Sequence, residues 1–243
     1  MSQARLIVAA ALLLAATGCT RHARPVIHDL SRSPGASWAR VLEERVDEHG
    51  RVDFDGLARN RADLDTMVLS IAIDGAERDE DEETAWLINA YNALALHNVL
   101  ESGKPPSDLV GFFVQQQYEV SGRWLNLYDL ERRVILPRGE ARVHFALNCM
   151  SSSCPRLRRT PFEAALLESQ LDAAAREFAN DVRHVRVDET DETVHVSKIL
   201  EWYESDFTAD GTIIDYLNQY RDTPIPSGYR VRYMDYDWTL IAQ

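Results

Sequence analysis

An α+β fold, mainly helical and forming one domain, is predicted by three features of the sequence. The segment ERDEDEETAWLINAYNALALHNVLESGKPP carries Trp86, Leu87, Ile88, Tyr91, Leu94, Leu96, Val99 and Leu100 pointing in almost every direction. A helix apolar all round is a central, buried one. Apolar residues recur at helical spacing on both sides of it, over Trp38–Val46 and Phe162–Phe178. Two short alternating stretches each close on a turn, which gives local β-hairpins beside the helices.

The chain has 243 residues, and its N-terminus reads MSQARLIVAAALLLAATGCTRHARP. Arg5 followed by the apolar run Leu6–Ala16 has signal-peptide proportions. It is too short to span a bilayer, which takes roughly 20 apolar residues. The run ends in Ala-Thr-Gly-Cys, a lipobox pattern. Residues 1–18 are therefore expected to be a cleaved signal peptide and Cys19 the lipidated residue. Thr20, where Asp would retain a lipoprotein at the inner membrane, points to the outer membrane and the periplasm. Residues 19–36, rich in Arg, Pro, Ser and Gly, read as a flexible tether, and residues 37–243 as the domain. The expected partners are the membrane, through the lipid, and an unknown envelope ligand or protein. A formal charge of −13 argues against nucleic acid, whose phosphates need a basic surface.

The domain opens with a helix over Trp38–Val46 that Gly50 closes, then a second over Phe54–Ile73. The acidic run Glu77–Glu83 suits the positive end of the central helix dipole and lacks the ligand spacing of a calcium loop. Gly103, Pro105 and Pro106 stop that helix. Tyr118–Val120 and Trp124–Leu127 form a hairpin about Ser121-Gly122, and Tyr128–Ile135 a short helix. ARVHFALN alternates as a strand, with His144, Ala146 and Asn148 on one face and Phe145, Leu147 and Cys149 on the other. Thr160 and Pro161 are placed to start an amphipathic helix running to Asn180. Val185, Val187, Val194 and Val196 mark the apolar face of a second hairpin. Short helices follow at Ser197–Phe207 and Ile213–Tyr220, and the aromatic tail YRVRYMDYDWTLI is expected across the core.

The stretch HFALNCMSSSCPRL concentrates the chemistry. With Cys19 lipidated, Cys149 and Cys154 are the remaining thiols, in an oxidising compartment. Four readings are open. A Cys149–Cys154 disulfide would clip the loop, stabilising it by roughly 2 kcal/mol, or act in redox exchange if strained. A nucleophilic cysteine would need an imidazole, His144 or alternatively His97, with Asn148, Asn89 or Asn92 to orient or polarise. Within an unbroken strand His144 would point away from Cys149, so the couple requires a bend at Asn148 or the second cysteine folded back. A zinc site lacks a second ligand pair. Two inert core thiols are the fourth. No serine-nucleophile elbow, phosphate loop or dinucleotide fingerprint is present, and no cofactor or metal is expected.

Asn89, Asn92 and His97 sit on the central helix, where buried amides must find partners. They tie down neighbouring loops, or Asn89 and Asn92, one turn apart, face a pocket with Tyr91. The motifs WLINAYNALALHNVLE, HFALNCMSSSCPRL, SKILEWYESDF and YMDYDWTL, in this order, resemble the family called domain of unknown function 547. The likeness covers Trp38–Leu240, and the family's members include bacterial envelope proteins and parts of larger eukaryotic ones. It implies a signature of Trp86, Asn89, Tyr91, Asn92, His144, Asn148, Cys149, Cys154, Pro155, Lys198, Trp202, Tyr203, Asp206 and Phe207, and carries over no activity, substrate or cofactor. Lys198 is expected to pair with Asp206 or Glu201, or else to bind an anion or activate a cysteine; Trp202, Tyr203 and Phe207 are read as core. Two function classes follow: a binding or scaffold module whose cysteines are a clip, and a thiol-dependent enzyme using Cys149 or Cys154 with His144 in acyl transfer, amide hydrolysis or thiol–disulfide exchange.

Overall fold

The computed structural model describes residues 18–27 and 31–243. The expected signal peptide lies outside the described residues, Gly18 excepted. Two three-stranded sheets pack among helices, an α+β architecture. The central helix α4 follows α1 (Pro34–Arg45), α2 (Phe54–Arg59) and α3 (Ala62–Ile73), and spans Glu80–Ser102. Asp79 and Glu82 close its start reciprocally: each side chain accepts the other's backbone N–H, at 2.9 and 3.2 Å. Gly103 ends it at φ 60, a left-handed conformation that glycine takes without cost. At 1.5 Å per residue α4 is about 35 Å long, and residues 84–98 are buried apart from Trp86.

Two apolar clusters form around this axis. The first joins α1, α3 and α4 to Phe112, Leu130, Leu147 and Met150. The second joins α6 (Leu167–Asn180) to the strands β4 (Val185–Asp188) and β5 (Thr193–Val196) and the short helices α7 (Lys198–Trp202), α8 (Glu204–Phe207) and α9 (Ile213–Asn218). The 144–155 stretch runs along the seam, with Phe145 in the second cluster and Leu147 and Met150 in the first.

Both hairpins form. In the first sheet β2 (Gln116–Val120) pairs with β3 (Arg123–Leu125), Tyr118 opposite Leu125. In the second, Val185 faces Val196 and Val187 faces Val194. Each hairpin gains a parallel third strand from a distant part of the chain. β6 (Arg230–Tyr233), from the tail, lies along β5. β1 (Thr20–Arg21) lies along β2, with Thr20 opposite Gln116.

Several local expectations are corrected. The segment read as a tether is docked at Thr20–Arg24: His22 stacks on Tyr118, and Arg24 pairs with Glu119 at 2.6 Å. Backbone groups left open on the β2 edge supply partners that no local pattern announces. ARVHFALN is no strand; Ala141–Phe145 is a 3-10 turn that bends into the cysteine loop. Arg142 explains the turn, since it binds Glu140 beside it and reaches Glu168 and Asp172 on α6. The helix expected from Thr160 starts regularly at Leu167, because Phe162 is drawn into the core by backbone bonds to Asn89. Phe54–Ile73 is broken between α2 and α3 at Asn60. Tyr128–Ile135 begins in α5 (Leu127–Leu130) and widens into a π-helical turn at Glu131–Ile135.

His97 and His184 are both buried, and burial first of all holds each imidazole down to about 4, helped by Arg61 at His97 and Arg183 at His184. The ring of His184 stacks on Phe178 at 4.3 Å, and neither nitrogen has a hydrogen-bond partner among the described residues. The unfolded chain protonates these groups first. Their stabilising effect is complete above the unfolded value of 6.5 and is lost as pH falls towards about 4. His184→Leu is expected to remove roughly 3 kcal/mol of that loss. Urea unfolding at both ends of the window checks it, and an unchanged pH difference would refute it.

Candidate functional site

The residues that sequence reasoning singled out divide into two sets: those that build a loop and those that face a cavity. Asn92 builds. Its side-chain oxygen accepts the Asn148 N–H at 2.8 Å and its amide donates to the Ala146 carbonyl at 3.0 Å. Asn148 continues the clamp, accepting the Met150 N–H and donating to the Pro155 carbonyl, both at 2.7 Å. Asn89 is spent likewise on Trp38 Nε1 and on both backbone groups of Phe162. Neither Asn89, Asn92 nor Asn148 lines the cavity. Lys198 does not reach it either; it forms the ion pair with Glu201.

The clamp forces the chain through a tight reversal. Met150, fully buried, sits at φ 65, a left-handed conformation unusual for a side chain of its size. The tail holds the reversal from the other side: Ser152 N donates to Thr239 O at 2.8 Å, Ser153 N to Asp237 O at 3.1 Å, and Ile241 N to Met150 O at 3.0 Å. Cys149 and Cys154 consequently face each other at disulfide-bonding distance, their Cα atoms 6.3 Å apart.

Both cysteines line a cavity of about 130 Å³ in the seam between the two apolar clusters. A cavity of about 150 Å³ admits a benzene, so this one has room for a small organic molecule. Its walls are mostly apolar: Leu109, Val110, Phe113 and Val114 together with Ile199, Trp202, Tyr203, Tyr236 and Trp238. Trp202 and Tyr203, read from sequence as core, are therefore walls. Trp202, Tyr236 and Trp238 stack on one another with centroids 4.3 to 5.6 Å apart. Two π-helical turns, Gly111–Gln115 and Glu131–Ile135, flank the cavity, and such turns concentrate at functional sites.

The polar wall holds His144, Glu131 and Arg132. His144 Nε2 lies 2.8 Å from Asp206 Oδ2, and its ring packs on Tyr203 at 4.1 Å and Phe207 at 5.2 Å. The bond to His144 holds the Asp206 carboxyl below the usual range. This is the geometry in which a carboxylate fixes the tautomer of a proton-carrying imidazole, here leaving Nδ1 free of protein hydrogen bonds among the described residues. Glu131 accepts from Tyr203 OH and, at 3.2 Å, from Tyr91 OH. Burial, then the Glu131 charge, pushes both phenols well up, so they remain protonated donors. Arg132 stacks on the Tyr203 ring at 4.2 Å. The alternative imidazole, His97, lies elsewhere, beside Arg61 and Tyr118. Among the described residues no three His, Cys, Asp or Glu side chains converge as metal ligands.

Residues 76–179 match the model of a family described as Protein of unknown function, DUF547. Over these residues the chain is similar to that family. No curated protein and no solved structure matches the chain. The DUF547 segment contains α4, His144 and both cysteines, whereas Asp206, Tyr236 and Trp238 lie beyond its end. Sequence reasoning missed Tyr236, Ser151, Glu131 and the role of Asp206. SKILEWYESDF and YMDYDWTL stood among the motifs of the resemblance, but nothing in them announced contact with a loop 50 to 90 positions upstream.

Asn92→Ala is expected to leave the Asn148 N–H and the Ala146 carbonyl unpaired in the core. At roughly 1–3 kcal/mol for each buried group, the cost is about 3 kcal/mol. A urea midpoint unchanged from wild type would show that the clamp does not hold the loop.

Proposed function

We propose that this protein is a lipid-anchored envelope protein whose cavity binds a small ligand with an apolar body, and that the Cys149–Cys154 pair exchanges disulfides with it. One observation carries the reading: both cysteines line the same cavity as His144, which Asp206 holds by a hydrogen bond. A clip for a loop needs neither an imidazole fixed by a carboxylate nor aromatic walls beside it.

The chemistry follows from the positions. Cys149 is the less buried of the two, Cys154 being 4% exposed. A substrate thiolate attacks Cys149 Sγ, the new S–S bond forms, and the electron pair of the old one leaves on Cys154. His144 takes the proton of the incoming thiol, and Asp206 stabilises the imidazolium. A second thiol on the same substrate then attacks the mixed disulfide and releases Cys149. The dithiol leaves as a disulfide, and both cysteines end as thiols. The reverse sequence reduces a substrate disulfide.

Anchoring is supported by Ala-Thr-Gly-Cys and by the exposure of Cys19. The pairing of Thr20 with Gln116 means that such a lipid would seat the domain at the bilayer without a spacer. Leu109, Val110, Phe113 and Val114, which line the cavity, lie just before the strand Gln116–Val120, so an apolar ligand held in the outer membrane would have a short path to it.

The oxidised protein mixed with dihydrolipoamide, an apolar dithiol, tests the exchange. Reduction is expected to run faster than that of an unfolded peptide disulfide, and His144→Gln is expected to slow it about tenfold at pH 7, the gain that a base offers a thiol of ordinary pKa. A pair that resists the dithiol, or that reacts equally fast in the variant, establishes the clip and with it the binding-module reading.

A further inference from the structure

The two sulfurs of the pair do not have the same surroundings. Cys154 Sγ receives the backbone N–H of Cys149 at 3.0 Å and lies 3.2 Å from Tyr236 OH. Cys149 Sγ lies farther from the phenol, at 3.4 Å, and has no backbone donor among the described residues. Ser151, fully buried, stands beside both sulfurs, its hydroxyl 3.1 Å from Cys149 Sγ and 3.3 Å from Cys154 Sγ, and donates to Tyr236 OH at 3.0 Å. A hydroxyl that accepts from one neighbour is left with its own proton for another. With Ser151 donating, the Tyr236 proton is directed at sulfur.

This differs from ordinary packing in what it stabilises. A neutral thiol or a disulfide sulfur is a weak acceptor, and two aligned donors bring it little. A thiolate is a full negative charge, and donors already in place stabilise it without reorganising. Burial opposes this, because an apolar environment raises a thiol's pKa. At Cys154 the donors stand directly against that effect. Tyr236 is itself buried, and burial pushes its phenol up, so it stays protonated and able to donate.

We propose that Cys154 is the thiolate of the pair and that Tyr236, oriented by Ser151, is the side-chain donor that holds it. The assignment deepens the exchange reading, since the attacked sulfur is Cys149 and the departing one Cys154, but the cradle can exist whether or not exchange occurs. In the first step the Cys149–Cys154 bond breaks, its electron pair goes to Cys154 Sγ, and the Cys149 N–H and Tyr236 O–H receive the charge. No proton moves in that step. In the reverse direction the same thiolate attacks the mixed disulfide at Cys149 Sγ and expels the substrate thiolate. Donors that ease departure also temper the nucleophile, so the cradle favours the reduced form of the pair and makes it an oxidant.

Peptide-resolved alkylation of the reduced full-length protein with iodoacetamide, followed from pH 4 to 9, tests the proposal. Half-maximal labelling of Cys154 is expected below that of Cys149. Tyr236→Phe is expected to move the Cys154 midpoint up by about one unit, a tenfold loss of thiolate at neutral pH. Ser151→Ala is expected to move it in the same direction by less. Should Tyr236→Phe fail to fold, the order of the two midpoints in the unaltered protein and the Ser151→Ala shift still decide. A Cys149 midpoint below that of Cys154, or folded variants that leave the Cys154 midpoint in place, overturns the assignment. The dihydrolipoamide reaction is read separately: a low Cys154 midpoint without exchange refutes the function proposed above and leaves the cradle standing.

Discussion

The structure depends on one amide. Asn92 sits in the middle of a helix with no open face, and it gives both halves of its side chain to the backbone of the 146–148 loop. A polar side chain in such a position costs several kcal/mol unless every hydrogen bond is made. Met150 is held in a left-handed conformation, and the sulfurs meet, because the chain beyond Asn148 has little freedom left. The tail closes the arrangement by adding a second set of backbone bonds to the same loop.

That construction explains why the cavity lies where it does. The two apolar clusters are filled by different parts of the chain and meet along the loop that Asn92 anchors. Cavities form preferentially where separately packed units meet. Bulky aromatic side chains from the tail and from α7 wall the gap without filling it. Wide π-helical turns at its edges put Phe113 on one wall and Glu131 and Arg132 on another, where regular α-helix would present other residues.

The electrostatics of the cavity are nearly balanced. Glu131 brings negative charge to its wall and Arg132 positive, while the Asp206 carboxylate bonds to His144. Glu131 is bonded by the Tyr91 and Tyr203 hydroxyls and Asp206 by His144, while Arg132 lies 3.9 Å from Glu131 Oε1 and stacks on Tyr203.

The sequence by itself determined the α+β class, the all-round apolar central helix with its acidic start and Gly103 stop, both hairpins, and the stretch that holds His144 and the cysteines. These are set by periodicity and by residues a few positions apart, where propensity and capping act directly. It misjudged ARVHFALN as a strand, because alternation over eight residues cannot register that Arg142 is pulled towards two carboxylates on α6. It likewise could not separate the amides that clamp the loop from side chains that face the cavity. The partnership of His144 with Asp206, the Tyr236–Ser151 pair at the sulfurs, the docking of Thr20–Arg24 on a strand edge and the cavity itself were decided only by tertiary structure. Each joins residues tens of positions apart through hydrogen-bond directions and packing volumes, and those exist only once the two clusters have closed around the loop.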